Sequence, residues 1–291
     1  MITKHEEQLE LAKSLQTSSL YFKREDLHPY GSHKGRSIPA MIDKYLGQGI
    51  QHFAISSSGN AALAAAFYVG KLNSEKGLGI KLDILVGQHI TTKKLRKLEQ
   101  FNSDLIKVTS HDRPIQTLFN ITKDPEVKAL RQSTDDTALL GYEELAKELL
   151  EIPKLKAVFI GTSSGTTAQA LSEYFKSDKK NIEVHLVQTS SCHPFADDFI
   201  DDQGIEELSI ADAIVDHTAL RKEKLIGLIK ENGGSAWIAT NEQIKLAQEM
   251  TKKYTGVDIS TNSALPVAGL MQAIYTGKKW DGSVACMICG D

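Results

Sequence analysis

The chain has 291 residues, of which 41% are hydrophobic and 24% charged, a composition that fits a soluble folded protein and excludes wholesale disorder. Its 34 basic and 37 acidic side chains leave a net charge of −3, which argues against nucleic acid or an anionic membrane as the main partner. No signal-type segment opens the chain, and its longest apolar stretch, residues 61–69, is shorter than the ~20 residues of a membrane span. Three cysteines give no disulfide framework, so we expect a cytoplasmic protein.

Short β-rich runs alternate with amphipathic helical patterns along the chain. Strands are predicted at residues 20–23, 53–56, 82–86, 105–108, 157–160, 184–188, 236–239 and 284–289. Helices are predicted at 37–46, 60–72, 92–101, 142–150, 166–175, 241–254 and 264–275. This alternation predicts an α/β fold with mostly parallel, twisted sheets and helices on both faces. The irregular stretch 110–137 suggests two lobes, a smaller one at 38–135 and a larger one made of 1–37 and 136–291.

Ligands of such folds bind beyond the carboxyl ends of the strands, so the turns that follow strands are the first places to look for chemistry. The turn Ser56-Ser57-Ser58-Gly59-Asn60 follows one predicted strand and opens a very alanine-rich helix. Its hydroxyls, its backbone N–H groups and the positive end of the helix dipole suit a substrate carboxylate. An ordinary helix cap, which Ser and Asn favour, explains the same residues.

A second turn is rich in glycine and hydroxyl groups and follows the predicted strand at 157–160. It consists of Gly161, Thr162, Ser163, Ser164, Gly165, Thr166 and Thr167. Such a turn can hold a phosphate, because glycines allow close approach and successive N–H groups bind anions. A plain tight loop is the alternative. The segment also matches Gly-x-Ser-x-Gly, the nucleophile elbow of α/β-hydrolases.

The third feature is a lysine near the start of a predicted helix. Ser32 is a candidate N-cap, which places Lys34 in the first turn, where acidic residues are normally preferred. The helix dipole and the nearby Arg36 favour the neutral, nucleophilic form of the amine. A lysine at this position is otherwise a solvated surface side chain. A nucleophilic lysine, a phosphate-binding turn and a carboxylate-binding turn are together what a pyridoxal 5′-phosphate (PLP) enzyme needs to act on an amino acid.

The sequence resembles the fold-type-II PLP enzymes, the tryptophan synthase β superfamily, from Tyr21 to the C-terminus. The resemblance lies in YFKREDLHPYGSHKGR, SSSGNAALAAA, GTSSGTT, DISTNSALPVAGLMQAI and VACMICGD, which occur in the family's order. It implies PLP as cofactor, Lys34 as the Schiff-base residue, and a phosphate site at residues 161–167. It also implies a substrate site formed by Ser57, Ser58, Gly59, Asn60 and Ala61, with Asn60 reaching the cofactor's ring hydroxyl, and a contact from Cys289 to the pyridine nitrogen.

Some positions depart from the family pattern. Cys289 stands in place of Ser or Thr, and a weakly hydrogen-bonding thiol should leave the pyridine nitrogen neutral, which suits elimination. Ser163 and Thr166 replace usual glycines, which would keep the backbone further from a phosphate. Ser260 stands where Glu is common, and His33 replaces an aromatic residue beside the lysine.

The expected function is PLP-dependent elimination or replacement at the side chain of an amino acid. A threonine synthase-like lyase, which converts O-phosphohomoserine to threonine, ranks first. A serine/threonine dehydratase ranks second and a cysteine synthase-like β-replacement third. A catalytically silent PLP-binding pseudoenzyme and an α/β-hydrolase are alternatives from other classes. The pseudoenzyme is disfavoured by the presence of Lys34 with Arg36 and Asn60.

The resemblance implies a small amino-acid substrate and allows a homodimer. Cys286 and Cys289 lie three apart in a predicted strand and so face opposite ways, so we expect no metal site.

Overall fold

The computed structural model describes residues 2–200 and 208–290, which form two compact units. The smaller unit is Pro29–Gly141, and the larger one combines Met1–His28 with Tyr142–Asp291. The smaller unit therefore extends beyond the predicted lobe at 38–135 in both directions. Lys34 belongs to the smaller unit, whereas the predicted boundary assigned it to the larger lobe. The reason is that Lys34 starts a helix that packs within the smaller unit.

The alternating pattern of strands and helices is confirmed. The strands are β1 His5–Glu7, β2 Ser19–Arg24, β3 His52–Ser56, β4 Lys81–Gly87, β5 Ile106–His111, β6 Val127–Ala129, β7 Leu155–Gly161, β8 Glu183–Thr189, β9 Ala236–Ala239 and β10 Ser283–Ile288. The helices are α1 Leu9–Leu15, α2 Lys34–Leu46, α3 Asn60–Lys76, α4 Thr92–Glu99, α5 Pro114–Ile121, α6 Thr137–Leu140, α7 Glu143–Leu150, α8 Thr166–Ser177, α9 Lys222–Glu231, α10 Asn241–Thr255 and α11 Thr261–Tyr275. Of the helices in the described ranges, none combines the length and apolarity that a membrane span requires.

The stretch 110–137, which the sequence suggests is irregular, contains α5 and β6. Pro114 indicates irregular structure in the sequence, but it occupies the start of α5. At that position its missing N–H costs nothing, since the first N–H groups of a helix have no intrahelical partner.

The smaller unit is built on a parallel sheet with the strand order β5-β4-β3-β6. Alternate residues of β3 point to opposite faces of this sheet. Phe53 and Ile55 join an apolar cluster with α2 and α3, whereas Ala54 joins a second cluster with Leu118 of α5. Helices therefore cover both faces, and the apolar character of β3 follows from burial on both sides.

The larger unit has a six-stranded sheet with the order β1-β2-β10-β7-β8-β9. β1 is antiparallel to β2, and the other neighbouring strands are parallel. The carboxyl ends of β2, β10, β7, β8 and β9 thus share one edge of the sheet. Helix α11 packs against β7, β8, β9 and β10, and its apolar side chains fill the core of this unit.

An aromatic cluster surrounds a buried histidine near the amino end of β8. The ring of His185 is stacked on Phe159 with 4.4 Å between the ring centroids, and Trp280 meets it edge-on. Trp237 Nε1 donates a hydrogen bond of 3.3 Å to His185 Nδ1, so His185 Nε2 carries the proton and donates to Glu183 over 2.9 Å. Trp280 Nε1 also donates to Glu183, over 3.0 Å. A neutral histidine and an ionised glutamate therefore close this end of the core.

Two pKa values in this cluster are lowered. Burial lowers the pKa of His185, and the hydrogen bond to Glu183 opposes that shift without cancelling it. Burial alone would raise the pKa of Glu183, but the hydrogen bonds from His185 and Trp280 and the charge of Lys278 lower it to about 2. Both groups bind protons more readily in the unfolded chain, so both stabilise the fold less as the pH falls. The loss begins near the unfolded histidine value of about 6.5 and continues from about 4.3 down to about 2.

We predict that Glu183→Gln lowers the free energy of unfolding at neutral pH by about 1.5–3 kcal/mol, because charged hydrogen bonds are lost. The variant should also lose much of the decline in stability below pH 4.3. Urea unfolding followed by tryptophan fluorescence measures this directly, since the chain's two tryptophans both lie in the cluster. Glu231→Gln, which removes an exposed ion pair with Lys176, is the control and should change stability by less than about 1 kcal/mol. A wild-type pH profile in Glu183→Gln contradicts the prediction.

Candidate functional site

Helix α2 begins at Lys34, so the predicted placement of this lysine in the first helical turn is confirmed. The N-cap position is His33, one residue later than predicted, although the hydroxyl of buried Ser32 accepts a 3.3 Å hydrogen bond from the Lys34 N–H. The side chain of Lys34 is half-buried. This end of α2 is fixed by close packing, because a Cβ atom on Gly141 would lie 2.3 Å from the Arg36 carbonyl oxygen.

The predicted substrate loop, residues 57–61, joins the end of β3 to the start of α3. Gly59 is the N-cap residue and, as a glycine, has no side chain with which to cap this helix. Ser57 Oγ instead accepts a 3.2 Å hydrogen bond from the Gly59 N–H and so shapes the loop itself. A Cβ atom built on Gly59 would meet no heavy atom within 4 Å. The N-cap residue of α3 is thus a glycine, and not the serine or asparagine that an ordinary side-chain cap would use.

A pocket of about 440 Å³ lies beside this loop, at the carboxyl ends of β3, β4 and β5. Its lining residues are Ser58, Gly87, Gln88, His89, Ile90 and Asp112. Sequence reasoning identifies only Ser58 among them. Residues 87–90 directly follow the predicted strand 82–86, and this position was the signal that could have found them. The pocket presents a hydroxyl, an amide, an imidazole and a carboxylate, so its walls suit a small polar group.

The glycine-rich turn at residues 161–167 joins β7 to α8 in the larger unit. Gly165, the N-cap residue of α8, has φ +79°, a conformation that L side chains rarely adopt. A Cβ atom on Gly165 would lie 2.7 Å from the Leu225 side chain and 2.9 Å from the Phe195 ring. As a glycine, Gly165 has no side chain with which to cap α8. The backbone geometry is that of an anion-binding helix N-terminus.

The hydroxyl groups of this turn are largely engaged within the protein. Thr162 Oγ1 donates to the carbonyl oxygen two residues earlier at 3.0 Å, and the hydroxyls of Ser164 and Thr166 bond each other at 2.9 Å. Ser163 Oγ accepts hydrogen bonds from the N–H groups of residues 215 and 216, at 3.2 and 3.3 Å. Among the described residues no histidine bonds Ser163, which a hydrolase nucleophile would require. The anion donors of the turn are therefore mainly backbone N–H groups.

Cys289 follows β10 at the same sheet edge as this turn, because β10 and β7 are parallel neighbours. The thiol is half-buried, and its Sγ–H donates to the Met287 carbonyl oxygen at 3.5 Å. The next residue, Gly290, is held by the start of α11. Its carbonyl oxygen accepts from Ser260 Oγ at 2.9 Å, and its N–H donates to Ser263 Oγ at 3.1 Å.

Ser260, which stands where the family commonly has Glu, thus has two structural roles. Its hydroxyl caps α11 by accepting from the Ser263 N–H at 3.2 Å, and it fixes the backbone immediately after Cys289. In all, the structure brings Lys34 and the 57–61 loop into one unit, at the N-termini of two helices that pack together. It brings the 161–167 turn and Cys289 to one sheet edge of the other.

Comparisons with known proteins identify the family. Residues 3–290 match the family model described as "Pyridoxal-phosphate dependent enzyme". The chain belongs to this family. Its cofactor is PLP, and the predicted fold-type-II membership is confirmed. The predicted hydrolase alternative has no support from this match.

Curated relatives include a threonine synthase of Mycobacterium bovis, 23% identical over 289 residues that cover 94% of this chain and 76% of the relative. A threonine synthase of Halalkalibacterium halodurans is 24% identical over 93% of this chain and 77% of the relative. Among solved structures, a PLP-dependent aspartate racemase has a TM-score of 0.82 at 20% identity, covering 100% of this chain and 90% of that one. A threonine deaminase of Solanum lycopersicum has a TM-score of 0.80 at 18% identity, covering 99% and 78%. The structural likenesses establish the fold.

The residues present fit PLP. A phosphate dianion needs several N–H donors and a positive field, and the N-terminus of α8, with a glycine at its N-cap position, offers both. The cofactor aldehyde needs an amine, and Lys34 offers one from a half-buried position at the start of α2.

We predict that Gly165→Ala weakens PLP binding at least about tenfold. An alanine there combines a strained φ with two contacts under 3.0 Å, and a 1–2 kcal/mol distortion of the turn corresponds to that factor. Titration of the apo-protein with PLP, followed by absorbance, measures the dissociation constant. The matched control is Gly227→Ala in α9, where a Cβ atom meets nothing within 4 Å and alanine is the better helix former. Equal PLP affinity in Gly165→Ala and wild type contradicts the role of the turn.

Proposed function

We propose that the protein is a PLP-dependent lyase that acts on the side chain of a small amino acid. The first candidate reaction is threonine synthase-like, from O-phosphohomoserine to threonine. The observation that carries the proposal is the pairing, in one unit, of an amine at the start of α2 with an N-terminus of α3 whose N-cap residue is a glycine. An amino-acid substrate calls for both groups, because its carboxylate needs N–H donors and its α proton needs a base. The threonine synthase relatives favour this reaction.

Each predicted residue has a role in this proposal. Lys34 bonds covalently to the cofactor aldehyde through Nζ. The 57–61 loop binds the substrate carboxylate through backbone N–H groups and the hydroxyls of Ser57 and Ser58, and Asn60 reaches the cofactor's ring hydroxyl. The 161–167 turn binds the cofactor phosphate. Cys289 meets the pyridine nitrogen, and since a thiol is a weak hydrogen-bond partner, it leaves that nitrogen neutral.

In this proposal Lys34 also transfers the α proton of the substrate. When bound, PLP withdraws electrons from the substrate's α carbon, which acidifies the α proton and allows a side-chain leaving group to depart. Lys34 Nζ would accept the α proton of the bound substrate as general base. The positive end of α3 fixes the carboxylate and with it the orientation of the α carbon toward that amine. The leaving group would depart with its electron pair and Lys34 would return a proton later in the cycle, while in the threonine synthase-like reaction water would supply the new hydroxyl group.

The pocket beside Ser58 favours a second candidate. We assign the substrate side chain to this pocket, because it adjoins the loop assigned to the carboxylate. Asp112 in its wall disfavours a phosphate-bearing side chain through like-charge repulsion. An uncharged side chain, such as that of serine or threonine, avoids this repulsion. A serine/threonine dehydratase, which releases a ketoacid and ammonia, is therefore the second candidate.

Lys34→Ala should abolish the visible absorbance of the lysine-bound cofactor and reduce turnover by at least about 10³-fold, since covalent bonding and proton transfer are both lost. Lys44→Ala in the last turn of the same helix is the matched control, because that lysine is exposed, and it should keep both properties. Absorbance spectra after addition of PLP and single-turnover assays provide the measurements. A wild type that stays colourless with PLP would falsify the proposal.

Products distinguish the two candidates. Phosphate and threonine released from O-phosphohomoserine identify the first, and ketoacid released from serine or threonine identifies the second. In the first case, Asp112→Asn should raise kcat/KM for O-phosphohomoserine about two- to fivefold by removing the repulsion, and leave serine turnover unchanged. Asp104→Asn is the control, since Asp104 is exposed just before the opposite end of β5. Loaded enzyme that transforms neither substrate contradicts both candidates.

A further inference from the structure

A buried glutamine ties the 161–167 turn to the segment that packs over it. Gln188 is the penultimate residue of β8 and is fully buried. Its Nε2 donates a 3.2 Å hydrogen bond to the carbonyl oxygen of Thr162. Its Oε1 accepts from the N–H groups of Phe195 and Ala196, at 2.9 and 3.0 Å. One amide thus satisfies three backbone groups on two separate segments.

Both segments bear on the shape of the turn. Thr162 is held through both of its backbone groups, since its N–H also donates to the Val187 carbonyl oxygen at 2.8 Å. At the other end of the turn, the Phe195 ring occupies the space beside Gly165, within 2.9 Å of where a Cβ atom would stand. The N–H groups of the turn lie between these two fixed points. Their spacing therefore depends on the bonds that Gln188 makes.

The chemistry of the site requires an amide. A single side chain must donate to a carbonyl and accept from two N–H groups, which neither an ionised carboxylate nor an apolar side chain can do. Removal of the amide would leave three backbone groups, at Thr162, Phe195 and Ala196, without this buried partner. Buried backbone groups without partners are costly, so the two segments would move to find other partners.

We propose that Gln188 is a positioning residue that sets the spacing of the backbone N–H groups that receive the cofactor phosphate. This inference rests on the proposed assignment of the 161–167 turn to the phosphate. Gln188 and the 161–167 turn belong to the larger unit, whereas Lys34 and the 57–61 loop belong to the smaller one. The effect of Gln188 should therefore be confined to the phosphate end of the cofactor.

The test compares the binding of PLP with that of pyridoxal, which lacks the phosphate. The ratio of the dissociation constant for pyridoxal to that for PLP measures how much the phosphate contributes to binding. Gln188→Met, similar in size but without the amide, should lower this ratio at least about tenfold and change the affinity for pyridoxal by less than about twofold. Inorganic phosphate should also compete less well with PLP in the variant. The absorbance of the lysine-bound cofactor should persist at saturating PLP.

Gln272→Met is the matched control. Gln272 in α11 also donates to a backbone carbonyl, that of Ile238 at 2.8 Å, and to Gln243 at 3.0 Å, but it does not contact the turn. Its loss should lower the thermal unfolding temperature and leave the ratio unchanged. Should Gln188→Met not fold, Gln188→Glu, which keeps the acceptor for Phe195 and Ala196, is measured in its place and should lower the ratio.

Three results would overturn the inference or its basis. A wild-type ratio in the Gln188 variants overturns it directly. An equal fall in Gln272→Met shows that general destabilisation is the cause and overturns it as well. Wild-type protein that binds PLP and pyridoxal equally well instead overturns the assignment of the turn to the phosphate, which separates failure of the proposed function from failure of this inference.

Discussion

The candidate site depends on two helix N-termini at which a glycine takes the place of a capping side chain. The first N–H groups of a helix lack intrahelical partners and must find them in side chains, water or a ligand. At α4, α10 and α11 a side chain does this, as Thr240 does in a full capping box at α10. At α3 and α8 a glycine occupies the N-cap position instead. Both helices follow central parallel strands, so these positive ends lie at the sheet edges where ligands of α/β proteins bind.

The turns at 57–61 and 161–167 could be predicted from the sequence, because each is a run of small residues that directly follows a short apolar strand. β9 was predicted at its observed bounds, 236–239, since a short apolar run between polar residues reads directly as a buried strand. The apolar periodicity of α2 starts only at residue 37, because Lys34, Gly35 and Arg36 contribute none, so the first turn could be predicted only from Ser32 as a candidate cap. Helix α9, at Lys222–Glu231, was missed because it lies close to an irregular, polar stretch.

The sequence does not show which hydrogen-bond partner each hydroxyl group has. The five hydroxyl side chains in the 161–167 turn suggest that side chains bind the phosphate. The hydroxyl of Ser163, however, accepts hydrogen bonds from the backbone N–H groups of residues 215 and 216. That partner lies some fifty residues further along the chain, so no local pattern could reveal it. The departures from the family pattern at Ser163 and Ser260 are explained in the same way, since both side chains bind distant backbone segments.

The two ends of strand β8 have different roles: one stabilises the core, and the other contacts the turn assigned to the phosphate. Glu183 opens the strand within the aromatic cluster, and Gln188 nearly closes it beside the turn. Five residues of extended chain place these side chains about 17 Å apart. At that distance, with no shared partner, the energetic effects of changes at the two ends are additive. Protonation of Glu183 in acid therefore weakens the fold as a whole without a direct path to the cofactor turn, whereas Gln188 acts on that turn through three hydrogen bonds that the acid-sensitive cluster does not share.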